Sequence, residues 1–263
     1  MKRNKTRQII LALLIAVSVF FGLAERKPID GVPVLLYHQL VSNRTYEAME
    51  KNDAIMSIGE FKKQMDMIDQ AGYQTITLEQ LQKHITGETP APNNSIVITF
   101  DDGYESDYKL AYPVLKAHNF HAESFLVTSF LKEDSQDEER LSSSDTKKMK
   151  DVFTFHSHSH ALHTFAYEHG DLSDLLSENL MWDTDLSLQY LEIKEIKTMN
   201  DFDAYAYPYG KNDERFQKVL QDLSVSLGFT TKKGYVQAGS NPLALPRFGI
   251  YPDRPGQLYR ILH

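Results

Sequence analysis

Apolar and polar positions along the chain follow two periods. The short apolar run at residues 32–37 reads as a buried strand, 95–100 as a strong buried strand and 122–128 as a further strand. Weaker strand patterns fall at 73–77, 152–158, 204–207, 228–231 and 246–250. Between them the period changes. Ile58, Phe61, Met65 and Ile68 recur at helical spacing, Ser57 and Glu60 stand where a capping box would, and Gly72 is placed to end the helix. Residues 78–85, 104–118, 171–197, 213–223 and 256–262 read as further helices. Residues 42–56 are expected to be loop, and the charged, Ser-rich stretch 132–150 an exposed excursion. Strands alternating with helices imply parallel βαβ units. About seven in this order predict an α/β fold, a distorted or incomplete (β/α) barrel of parallel strands, with an open doubly wound sheet as the alternative.

The first 24 residues depart from this pattern. Lys2, Arg3, Lys5 and Arg7 precede an apolar run from Ile9 to Phe21, and Gly22-Leu23-Ala24 follows. This is the layout of a secretory signal peptide, or of an N-terminal membrane anchor if it stays uncleaved. The run is shorter than the roughly 20 apolar residues that span a bilayer comfortably. Residues 25–31, with Pro28, read as a linker, and 32–263 as one domain. The domain is therefore expected outside the cytoplasm: secreted, at the cell surface or held on the cytoplasmic membrane.

Composition narrows the function. With 263 residues, 41% of them apolar, the chain can bury a barrel-sized core. The formal charge is −8, and because four cations sit in the first 24 residues the remainder carries −12. An acidic body without a basic stripe argues against nucleic acid as a partner. There is no cysteine, which excludes disulfides, thiol nucleophiles and Cys-based zinc sites.

Three of the expected strands end in ionisable residues, as strands do at the catalytic face of a barrel. The first ends at His38. The run 95–100 ends in Asp101-Asp102-Gly103. The run 152–158 leads into a cluster that holds five of the ten histidines, His156, His158, His160, His163 and His169. Adjacent carboxylates after a buried strand need a pairing partner or a cation. One could be a helix N-cap, but two point in opposing directions, which suits one metal ligand and one base better than a glycosidase pair. Imidazoles with a carboxylate form the ligand set of a catalytic zinc that keeps one position open. Spacing does not select the histidines, since 156, 158 and 160 would share one face of an extended strand.

Thr99-Phe100-Asp101-Asp102-Gly103 resembles the T-F-D-D-G motif of the polysaccharide deacetylases, the NodB-like carbohydrate esterases of family 4. Tyr37-His38, the segment from Ser157 to His163, Ala206 to Gly210, and Leu245 to Ile250 resemble, in order, four further motifs of the PgaB/IcaB branch. The resemblance covers residues 32–262. It implies Asp101 as general base, Asp102, His158 and His163 as metal ligands, His38 as general acid, and Tyr209 as the residue whose backbone N–H stabilises the oxyanion. Tyr207 and Pro208 are implied in substrate binding. His156 and His160 become supporting or incidental, although His156-Ser157-x-x-His160 also fits the commoner H-S-x-x-H form. Many members carry an Arg that orients the base at the position of Ala206, and Arg247 is the candidate replacement. The chain's end at His263 puts it nearer the short form of the branch than the two-domain form.

The implied reaction is hydrolytic removal of acetyl groups from an N-acetylglucosamine-containing polysaccharide. Poly-β-1,6-N-acetylglucosamine of biofilm matrix is the first expectation, and peptidoglycan or chitin oligomers the alternatives. The expected cofactor is a divalent metal, zinc first, with Fe, Co or Ni also compatible with the ligand set. Tyr and Phe number 14 each, enough to line a sugar groove as well as a core. Two rival classes are a His-rich extracytoplasmic metal-binding protein, which would not need Asp101 or His38, and a non-catalytic sugar-binding module, which would not need the ligand set.

Overall fold

The structure, a computed structural model, describes residues 31–50, 52–198, 201–252, 254 and 256–263. The expected signal or anchor segment, residues 1–24, and all of the expected linker but Gly31 lie outside the described residues.

Eleven strands are formed by the described residues. They are β1 (Val32–Tyr37), β2 (Gln39–Val41), β3 (Ile55–Ser57), β4 (Gln74–Thr75), β5 (Ser95–Asp101), β6 (Ala122–Leu126), β7 (Phe153–Ser157), β8 (Ala204–Ala206), β9 (Leu227–Phe229), β10 (Tyr235–Val236) and β11 (Phe248–Gly249). The main sheet runs β10-β1-β5-β6-β7-β8-β9, with β11 on β1 and β4 on β5. Its pairings are parallel except β1 with β10. Leu245 bridges to Phe229 of β9, while Phe248 and Gly249 pair with Leu35 and Leu36 of β1. The sheet therefore curls back towards its first strand as a distorted (β/α) barrel, as expected.

Alternation along the strands sorts side chains between two faces. Val34, Val97, Phe125, Phe229 and Leu245 form one buried cluster on the concave side. Their neighbours Leu35, Ile98 and Leu126 belong to another, packed against Phe61, Met65 and Ile68 of the helix Ile58–Gln70. With both faces covered, β1, β5 and β6 are buried at every position, Glu123 and Ser124 of β6 included, and β1 and the centre of β5 read as apolar runs. The same alternation carries Thr99 and Asp101 onto the concave face of Val97, and His156 and His158 onto one face of β7.

Several expectations need correction. Residues 42–56 are not all loop: they include the helix Asn43–Ala48, capped by Ser42, and part of β3. That helix buries no residue, so no apolar stripe announced it. Ser57 accepts the Glu60 N–H, but the Glu60 carboxylate accepts from Gln64 and leaves the capping box half made. The helix after Asp102 contains a π segment, Asp107–Ala111, before it continues as Tyr112–Ala117. The stretch 132–150 is no free excursion. It forms the helices Lys132–Ser135 and Ser143–Lys148 and buries Leu141, Thr146 and Met149 completely. The His-rich segment continues into an unexpected helix, Leu162–His169, and the following long helix is shorter than expected, Ser177–Ile193. No helix among the described residues is long and apolar enough to cross a membrane.

Candidate active site

The C-terminal ends of β1, β5 and β7 and the loop after β8 meet at a cavity of about 670 Å³. His38, Asp101, Asp102, His158, His163 and Tyr209 all line it, together with Tyr104, Phe130, Arg140, Tyr167 and Tyr251.

Asp101 is the last residue of β5 and is buried. Arg247 grips it with two parallel hydrogen bonds, Nη1 to Oδ1 at 2.8 Å and Nη2 to Oδ2 at 2.7 Å. The guanidinium is itself completely buried, donating also to the Thr99 hydroxyl and the Thr230 carbonyl. Burial alone would raise the Asp101 pKa, but Arg247 and then His158 outweigh it and hold it at about 2. The cation expected in place of Ala206 thus comes from the segment next to β11. The Ala206 carbonyl has another partner, accepting from His158 Nδ1 at 2.7 Å.

Asp102 turns away from its neighbour because its backbone is left-handed, with φ +76°. Gly103 follows at φ +69°, where a Cβ would stand 2.8 Å from the Leu126 side chain, so glycine is required twice over. The turn aims Asp102 Oδ1 at His163 Nε2, 3.2 Å away, and at His158 Nε2, 3.6 Å away. The bond from His158 Nδ1 to the Ala206 carbonyl fixes the ring so that Nε2 faces Asp102. Burial, ahead of the opposing pull of Asp102, lowers the His163 pKa to about 4, so this imidazole is neutral at ordinary pH.

One ligand atom from each of Asp102, His158 and His163 lies within 4.8 Å of the others. Asp102 Oδ1 is buried and has no hydrogen-bond partner, a costly arrangement for a carboxylate unless a cation takes the lone pair. Two imidazoles and one orphaned carboxylate oxygen fit a divalent metal with an open coordination position.

The other histidines are placed elsewhere. His156 lies deeper on the strand, held by Glu123 at 2.9 Å, with Lys197 on its other nitrogen. His160 leaves the strand face after Ser159, whose φ is +82°; its Nδ1 meets the Thr128 hydroxyl at 2.9 Å and its ring packs on Tyr190. The 156/160 ligand pair is therefore not brought together. Tyr209 carries φ +55° in the turn after β8, and its ring stacks on His163 at 4.7 Å. Tyr207 reaches the cavity wall, but its hydroxyl donates to the Leu243 carbonyl and its ring packs on Phe216 in the core. Pro208 is buried and does not line the cavity, so a direct substrate contact expected there is not supported by its position.

Two site residues escaped sequence reasoning. Asp183 accepts the His160 and Ala161 N–H groups at 2.9 and 2.7 Å, holding from another helix the start of Leu162–His169, where Ser159 Oγ accepts the His163 N–H. Its signal was an acid on the stripe of Leu180, Thr184, Ser187 and Leu191, at helical spacing on the buried face of Ser177–Ile193. Arg140 lies on the cavity wall, in the stretch read as an excursion.

A curled parallel sheet with an aspartate–histidine cluster at its C-terminal rim, beside an arginine-held carboxylate, defines a hydrolase of the deacetylase type. Residues 88–228 match the polysaccharide deacetylase family, and the chain belongs to that family, hydrolases acting on N-acetyl groups. Among its relatives, YxkH of Bacillus subtilis is 24% identical over 234 residues, 87% of this chain and 74% of that one. The poly-β-1,6-N-acetyl-D-glucosamine N-deacetylase of Staphylococcus aureus is 28% identical over 166 residues; the match spans 62% of this chain and only 56% of that enzyme. The Streptococcus pyogenes deacetylase PplD, solved with acetate, superposes with a TM-score of 0.76 at 25% identity, over 90% of this chain and 100% of PplD.

Proposed function

We propose that the protein is a metal-dependent N-deacetylase of a β-linked N-acetylglucosamine polymer, poly-β-1,6-N-acetylglucosamine first. The observation that carries the reading is the orphaned Asp102 oxygen between two histidines, beside the Arg247-held Asp101. The likeness to the staphylococcal enzyme supports the choice of polymer. Asp102, His158 and His163 would hold the metal, zinc for preference. When bound, it supplies Lewis acidity, acidifying a water and polarising the acetyl carbonyl. Asp101, charged and held rigid by Arg247, takes the proton from the attacking water. The backbone N–H of Tyr209 donates to the oxygen of the tetrahedral intermediate. His38 gives a proton to the departing amine, without which the C–N bond does not break readily. The aromatic wall of Tyr104, Phe130, Tyr167 and Tyr251 offers rings for sugar faces.

We also propose that residues 1–24 export the chain or anchor it on the membrane, so that residues 32–263 act outside the cytoplasm. Acetate release from defined poly-β-1,6-N-acetylglucosamine, chitin and peptidoglycan oligomers, with and without a chelator, tests the reading. Chelator-sensitive release from the first supports it. Preference for another polymer moves the substrate, and release indifferent to chelator and to added zinc overturns the metal.

A further inference from the structure

Asp102 is held in a backbone conformation that residues other than glycine resist, and its carboxylate direction depends on that conformation. Both ends of the residue are tied. Its N–H donates to the Phe125 carbonyl at 3.0 Å, and its carbonyl accepts from Arg140 Nη1 at 3.1 Å. Around this bond, residues 139–141 run against the turn. Glu105 N–H donates to the Glu139 carbonyl, Leu141 N–H donates to the Gly103 carbonyl, and Tyr104 and Arg140 form an antiparallel bridge. The guanidinium is itself fixed. It lies 4.1 Å from the Tyr104 ring centre and 4.5 Å from that of Phe130, and its Nε donates to Asp137 at 3.3 Å. Its side chain is only 14% exposed, at the cavity wall.

We infer that Arg140 is a positioning residue for the metal centre: it latches the Asp102–Gly103 peptide and thereby aims the Asp102 carboxylate at His158 and His163. This rests on the reading of those three residues as ligands. With N–H and carbonyl both tied, the Cα–Cβ bond of Asp102 has one direction, and the ligand is aimed before the metal arrives. Without the latch the carbonyl is free to turn and the left-handed strain is free to relax. Partners that orient a ligand from behind are worth about 10- to 100-fold in metal affinity.

The test is zinc affinity of the metal-free full chain, measured against a competing chromophoric chelator, with melting curves alongside. Arg140→Met keeps an apolar stem on the rings and removes every donor. It should remain folded and bind zinc at least tenfold more weakly. Arg140→Lys keeps one donor and should bind within about threefold of wild type. Arg140→Met binding within twofold of wild type, or Arg140→Lys as weak as Arg140→Met, overturns the latch. Should Arg140→Met not fold, Asp137→Ala releases Nε instead: a threefold or larger loss supports the latch, and unchanged affinity overturns it. Asp102→Asn is the control that separates the two readings. A wild type that binds no zinc, or an Asp102→Asn that binds like wild type, removes the ligand assignment and the latch with it.

Discussion

Arg247 and Asp101, 146 residues apart in the chain, meet through two parallel hydrogen bonds with both side chains buried. Such a pair is costly to desolvate, and it persists only when the remaining donors are satisfied. Here Nε and Nη1 also reach the Thr230 carbonyl and the Thr99 hydroxyl. The pairing keeps the Asp101 pKa at about 2, so the group is charged and oriented at the expense of basicity. The fork comes from the segment next to β11, whereas the family resemblance places such an arginine at the position of Ala206.

Arg247→Ala should therefore fail twice. It strands a buried carboxylate, which should cost about 3 kcal/mol of stability. It also frees the base to turn, which should lower turnover about a hundredfold. Arg247→Lys restores the charge but not the fork, so it should recover stability better than activity. Urea denaturation and acetate release measure the two losses; wild-type turnover in Arg247→Ala would detach Asp101 from the chemistry.

The ligand assignment separates the histidines by metal content. Asp102→Asn, His158→Ala and His163→Ala should each lose zinc, by roughly tenfold or more in affinity, and lose activity. Asp101→Asn should keep zinc and lose most turnover. His156→Ala should keep zinc but melt lower, because Glu123 and Lys197 lose a buried partner. Zinc stripped by His156→Ala or His160→Ala rather than by His163→Ala would overturn the register.

Burial of neutral His163 should add stability to the metal-free protein as pH rises from about 4 to 6.5, in the opposite sense to buried Asp107 and Asp183, whose pKa values burial raises. Burial lowers the His163 pKa to about 4, and burial followed by Lys197 lowers that of His156 too. Across this window the unfolded chain binds protons at these two histidines that the folded chain refuses, so raising the pH favours folding through them. His163 alone corresponds to about 3 kcal/mol at most. The Asp101 contribution lies lower, present above about pH 4 and lost as the pH falls towards 2. Urea midpoints at half-unit pH steps should rise more, or fall less, for wild type than for His163→Asn across this window, and the difference should level off near neutrality. Equal pH dependence of wild type and His163→Asn from pH 4.5 to 6.5 contradicts the burial of neutral His163.

The parts of the fold that were legible in the sequence are those decided locally. Apolar residues marked β1 and β5 because both faces of the sheet are covered, and the stripe in Ile58–Gln70 marked one of the covering helices. Leu162–His169 was not legible, since its N-terminus is capped from a distance by Asp183. The choice among the histidines was not legible either. His156 and His158 share a face, and what separates them is depth, with Glu123 waiting below for the first. His160 is excluded by the left-handed Ser159, which no spacing rule announces. Arg247 was nameable from its motif, but its bond to Asp101 depends on the segment that carries the sheet from β9 back to β1.

His38 can be isolated by its leaving group. It follows β1, whose Tyr37 pairs with Phe100 of β5, so it stands at the rim beside Asp101 and lines the same cavity. An amine leaves an amide carbon only with a proton, whereas a nitrophenolate leaves an acetate ester without one. His38→Ala should therefore lose about a hundredfold or more in turnover on an N-acetylglucosamine oligomer. On an activated acetate ester it should stay within about threefold of wild type, because water activation and the oxyanion contacts are untouched. The ratio of the two rates is the measurement, and it is insensitive to a general loss of folded protein. An equal loss on both substrates would assign His38 to structure or to the metal. His160 could not then serve as the reserve acid, because Thr128 and Tyr190 hold its ring and it does not line the cavity.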